Sequence, residues 1–182
     1  MLNDDLKTLP DYLRPDLKII SVGLNPSIPS MLAGFPFANP RNRFWQALNL
    51  SGLVAAPLEP GAAAMQILLN RDSIGFTDLV KRPSAMGKDL TVGDYRRDAP
   101  LLKEKLLRYR SAWVWFHGML AFRHYLRHAE SVAADGLSWG EQTEFRIGLS
   151  RIFVSPNPSP ANAAYSLRSL VGYYDALAAL NK

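Results

Sequence analysis

Short apolar runs bounded by Gly and Pro alternate with longer helical patterns along this chain, and that alternation leaves few folds open. Lys18–Val22, Ser73–Phe76, Ala112–Phe116 and Arg151–Val154 read as buried strands. Between them, Asn42–Leu50, Gly61–Asn70, Val92–Arg110 (broken or started near Pro100), Met119–His128 and Ala163–Leu180 carry helical spacing. A further short strand is expected around Glu144–Ile147, and residues 1–16 read as a loosely packed leader. Strands alternating with helices predict one α/β domain spanning residues 1–182, with a mostly parallel central sheet. Its 182 residues suffice for a substantial core.

Two of the strands end in the same tripeptide. Gly23-Leu24-Asn25-Pro26-Ser27 follows the first, and Ser155-Pro156-Asn157-Pro158-Ser159 follows the last. Proline disfavours helical backbone in the residue before it, so each Asn sits on an extended or turning backbone. In an open parallel sheet, ligands bind beyond the carboxyl ends of the strands. Two polar loops facing one cleft are therefore expected. Residues 23–40 form a loop too long to be a mere connection, and Phe35 and Phe37 argue against its being disordered.

Composition removes several chemistries. With no cysteine, disulfides, thiolate metal sites and cysteine nucleophiles are excluded. Of three histidines, His124 and His128 have metal-chelating spacing but lack the H-E-x-x-H pattern, and a solvated helix face is expected. No metal or organic cofactor is implied. No G-x-G-x-x-G or P-loop string is present. The net charge of +5 suits a polyanionic partner. No apolar run reaches membrane-span length, and Met1–Asp5 lacks a signal-peptide pattern, so a cytoplasmic protein is expected.

Individual residues carry two readings each. Asn25 can orient a water through its carbonyl and donate through its NH2 group, or simply cap its loop. Phe37 offers a flat face for a base, or fills the core. Asp78, at a strand end, could activate water, or cap a helix. The second loop enters a helix, a setting that suits an anion or a plain turn. Arg41, Arg43, Lys81 and Arg82 are phosphate-contact candidates, or solvated surface charges.

Six blocks, in order, resemble the mismatch-specific uracil/thymine-DNA glycosylases. They are Gly23–Pro26, Gly34–Ala38, Asn42–Trp45, Gly75–Pro83, Trp139–Thr143 and Pro156–Ser159. The resemblance runs from about residue 18 to residue 175. It implies a three-layer α/β/α domain and a monofunctional glycosylase; a monomer, nucleoid-associated when acting on DNA, is expected. Such an enzyme flips a damaged or mispaired base out of double-stranded DNA and hydrolyses its glycosidic bond. By similarity, Asn25 positions the water, and Gly23, Leu24, Phe37 and Asn157 hold the pyrimidine. Ser30, Arg43, Lys81, Arg82, Ser159, Pro160, Ala161 and Asn162 contact DNA, the last four in the loop that fills the flipped base's place.

The chain departs from its relatives at three points. Family-1 uracil glycosylases carry Asp in the first motif and His in the second loop, and this chain has neither, so slower chemistry is expected. Asp78 replaces a basic residue of the mismatch-specific family and could restore part of the missing charge. Pro160-Ala161-Asn162-Ala163 stands where those enzymes often carry Gly-Leu-Ser-Arg, with Leu as wedge.

Overall fold

The computed structural model describes residues 7–182, and the first six residues of the expected leader lie outside them. The predicted alternation of strands and helices is present. The strands are β1 (Ile19–Gly23), β2 (Ile74–Asp78), β3 (Trp113–His117), β4 (Gly140–Glu141) and β5 (Arg151–Ser155). They form one sheet in the order β2-β1-β3-β5-β4. Only β4 runs antiparallel, against β5.

Alternating side chains along each strand divide between two cores, because successive residues point to opposite faces. Ile20, Val22, Val114, Phe116, Ile152 and Val154 pack against α4 (Val92–Tyr109) and α5 (Met119–Tyr125). Ile19, Ile74, Phe76, Trp113, Trp115 and Phe153 pack against α2 (Phe44–Leu50), α3 (Ala62–Ile67) and α6 (Leu167–Leu180). Burial on both faces explains why the strands read as continuous apolar runs rather than alternating ones. The result is the three-layer α/β/α architecture.

Several local expectations are corrected. The long loop after β1 contains a helix, α1 (Ile28–Ala33). Ser27 caps its N-terminus, and Gly34 ends it in the left-handed conformation at φ 77°. Pro100 lies inside α4 without ending it, on the solvent side, where the carbonyl it cannot pair is left to water. The short strand is Gly140–Glu141, not the stretch around Glu144–Ile147. The last helix begins at Leu167, because Ser159–Asn162 closes a turn of its own.

Residues 7–16, expected as a loose leader, are packed instead. Leu9 is buried, and Tyr12 exchanges backbone hydrogen bonds with Phe76. The Tyr12 hydroxyl also donates to the Gly34 carbonyl at 2.5 Å. His124, expected on a solvated face, stacks on Tyr95 with ring centroids 3.6 Å apart.

Candidate active site

The carboxyl ends of β1, β2, β3 and β5 open into one cleft of about 370 Å³, within the size range of small-ligand pockets. Asn25 and Asn157 both line it, so the two repeated loops do face a common space. Gly23, Leu24, Phe37 and Asp78 line it too.

The Asn25 amide is oriented by its partners. Nδ2 donates to Ser84 Oγ at 2.8 Å, to the Arg82 carbonyl at 3.0 Å and to the Pro26 carbonyl at 3.3 Å. Two of these acceptors are carbonyl oxygens, which only an NH2 group can satisfy. The NH2 is thereby committed to the loop after β2. Among the described residues Oδ1 has no donor, and it is the acceptor left for a ligand in the cleft. A neutral amide oxygen can align a water but cannot take its proton.

Asp78 occupies the end of β2, directly beside Gly23 of β1. Glycine here leaves the carboxylate its place: a β-carbon at position 23 would lie 2.6 Å from Asp78 Oδ1 and displace it. No helix starts at Asp78, so the capping role falls away. The next two amides, Leu79 N–H and Val80 N–H, donate to the Gly23 and Leu24 carbonyls. The Asp78 side chain has no hydrogen-bond or ion-pair partner among the described residues. Burial pushes its carboxyl up to about 6, with Lys81 and Lys105 opposing and Asp11 reinforcing the shift. A carboxylate poised near neutrality in a cleft is the profile of a functional acid or base.

Beneath it sits an ion cluster. Asp11 pairs with Lys81 at 2.9 Å and with Lys105 at 2.5 Å, and accepts from Thr77 Oγ1 at 2.7 Å. Burial works to raise the Asp11 carboxyl, but the two lysines outweigh it and hold it below the usual range.

Phe37 takes a positive φ of 57°, uncommon for a bulky residue. Its neighbours hold it there: Ala38 N–H donates to Ser30 Oγ, and Trp45 Nε1 donates to the Pro36 carbonyl. One face of the ring stacks on Phe44 at 4.1 Å, and the ring also lines the cleft. The same side chain thus packs on the core and lines the cleft.

Asn157 Oδ1 accepts from Ser159 N–H at 2.9 Å, which forms the turn of the second loop. Among the described residues its Nδ2 donates to nothing. Pro160 and Ala161 are exposed at the cleft edge, and Asn162 Nδ2 donates back to the Asn157 carbonyl.

Three of the basic candidates and Ser30 have partners within the protein. The Arg43 guanidinium donates to the carbonyls of Tyr165, Ser159 and Asn162. Lys81 Nζ donates to the Leu9 carbonyl and pairs with Asp11. Arg82 pairs with Asp94 at 2.8 Å and donates to the Asp89 carbonyl. Ser30 is buried, with its hydroxyl engaged by Ser27 and Ala38. These four groups hold loops together. Among the described residues, Arg41 and Lys88 are the exposed cations near the cleft whose side chains have no partner.

His117, at the carboxyl end of β3, was not anticipated as a site residue. It lines the cleft, with Nε2 2.8 Å from Ser21 Oγ and its ring 5.1 Å from that of Phe37. Burial pushes its imidazole down to about 3, so it is neutral at physiological pH. Its place at the end of the Trp113–His117 run was the available signal. Among the described residues there is no cluster of His, Asp or Glu suited to a metal ion, and no helix is long and apolar enough to cross a membrane.

The family model described as the uracil DNA glycosylase superfamily matches residues 10–180. The chain belongs to that superfamily. Membership makes it a glycosylase in class, a hydrolase of N-glycosidic bonds in DNA. A solution structure from Methanosarcina acetivorans, provisionally named a uracil DNA glycosylase, superposes with a TM-score of 0.59 at 17% identity. The match covers 94% of this chain and 98% of that one. At that identity it speaks for the fold alone, and the shared fold is the one described above.

Proposed function

We propose that the protein is a monofunctional glycosylase that flips uracil out of mispaired double-stranded DNA, G·U favoured, and hydrolyses its glycosidic bond. Thymine is the expected poorer substrate. The observation that carries this reading is one cleft lined by both Asn25, two residues past the end of β1, and Asp78, at the adjacent end of β2. Bond breaking leaves positive charge on the sugar and negative charge on the departing base. Asn25 Oδ1 aligns a water on the sugar, and ionised Asp78 stabilises the cation and accepts the water's proton. Phe37 stacks on the flipped base, and Asn157 Nδ2 donates to one of its carbonyls.

Asp78 supports hydrolysis rather than lesion binding alone, since a half-buried, unpaired carboxylate is costly to maintain without a use. The test is incubation of purified protein in excess with duplexes holding one G·U, A·U or G·T pair, followed by alkali. Strand cleavage at G·U ahead of the others is expected. No cleavage at any uracil over hours would overturn the reading.

A further inference from the structure

The loop after β2 carries a feature that Asn25 and Asp78 leave unused. Met86 is 49% exposed at the cleft mouth, although its backbone is held on both sides. Its carbonyl accepts from Ser84 Oγ at 2.7 Å, and its N–H donates to Asp89 Oδ2 at 2.9 Å. Ser84 is in turn gripped by Asn25 Nδ2 at 2.8 Å, and its N–H donates to the Pro26 carbonyl at 3.2 Å. Next to it, a β-carbon at Gly87 would lie 2.7 Å from Leu24 Cδ2, so the turn sits directly on the cleft wall. A pinned backbone thus presents a long apolar side chain to water, a cost that a buried partner would recover.

The loops after β2 and β5 leave the sheet on either side of β1 and β3, and both edge the cleft. The β5 loop lines the cleft with Asn157, Ser159, Pro160 and Ala161, of which Pro160 and Ala161 are exposed. Alanine is too short to replace a base in a stack, and the compact ring of Pro160 reaches less far from its backbone than the unbranched side chain of methionine. Methionine is among the apolar side chains that do enter base steps. Lys88, two residues on, is exposed, and its side chain has no partner among the described residues.

We propose that Met86 is the duplex wedge: its side chain enters the stack and fills the space that the flipped nucleotide leaves, with Lys88 on the adjoining phosphate. The proposal rests on the glycosylase reading, and two assays separate their failures. In the first, Met86→Ala and Met86→Leu are compared with the unaltered protein on uracil in single-stranded and in G·U duplex DNA. Met86→Ala should lose duplex excision by about tenfold or more while single-stranded excision stays within about twofold, and Met86→Leu should restore it. Equal rates for Met86→Ala and the unaltered protein on the duplex overturn the wedge.

The second assay needs no catalysis. A G·U duplex carries 2′-fluoro-deoxyuridine, which resists hydrolysis, and 2-aminopurine beside it. The unaltered protein should raise the 2-aminopurine fluorescence, and Met86→Ala at saturating concentration should not. A rise with both proteins, or with neither, overturns the wedge, whether or not uracil is released in the first assay.

Discussion

Gly23 and Asp78 face each other across the β1–β2 pair so closely that a β-carbon on the first would lie 2.6 Å from the carboxylate of the second. Glycine at position 23 is therefore the condition for Asp78's position, not a backbone convenience. Gly23→Ala must displace the carboxylate or part the strands. We expect single-turnover excision to fall about a hundredfold, since a shift near 1 Å is enough for that. Far-UV circular dichroism should stay unchanged. A variant of undiminished rate would remove Asp78 from the mechanism.

The state of Asp78 sets a pH dependence. Its carboxyl titrates at about 6, above its unfolded value of 3.8, mainly through burial. As the active form is ionised, the excision rate should rise with pH through about 6 and level off above it. Asp78→Asn should be slow and flat over the same range.

Stability should run the opposite way. Between pH 3.8 and about 6 the folded chain holds the Asp78 proton that the unfolded chain has lost. Stability contributed by this group therefore falls as pH rises through that window. Above it, Asp78→Asn should be the more stable protein, by on the order of 1–2 kcal/mol after allowance for partial exposure. Thermal melts at pH 5 and pH 8 check this, the difference being present at pH 5 and larger at pH 8.

Asn25→Asp should not improve catalysis, despite adding a carboxylate beside the sugar. The Asn25 NH2 donates to the carbonyls of Arg82 and Pro26, and a carboxylate would turn acceptor against acceptor there. A loss of about 1–3 kcal/mol in urea unfolding is expected, the cost of stranded acceptors. Asn25→Ala should abolish turnover while leaving duplex binding largely intact.

Arg43 and Arg41 offer a matched pair. Arg43 spans three carbonyls of the segment between β5 and α6, while the Arg41 side chain has no partner among the described residues. Arg43→Ala should lower stability by about 2–4 kcal/mol, and Arg43→Lys should not rescue it, since one ammonium cannot span the fork. Arg41→Ala should leave stability unchanged and reduce the salt dependence of DNA affinity by a slope of about 1.

The strands were legible because they are buried on both faces, which writes them as unbroken apolar runs such as Trp113–Phe116. Helix α1 was missed although Ser27, Pro29 and Gly34 punctuate it, because a six-residue helix inside a Pro-rich loop leaves too short a period to read. Asn25, Phe37 and Asn157 could be singled out because Gly, Pro and strand ends mark them locally. That Asp78 caps no helix, and that Arg43 and Lys81 have partners within the protein, depended on residues far away in the chain.

By itself, then, the sequence determined the layered α/β architecture and the two loops at the strand ends, since periodicity and backbone restriction act within a few residues. Only the tertiary structure decided that Gly23 makes room for Asp78, that Asp11 from the N-terminal segment occupies Lys81, and that Met86 stands exposed on a pinned turn. Those outcomes rest on the order of strands in the sheet. Strand order places residues dozens of positions apart within a hydrogen bond of one another, and no local pattern records it.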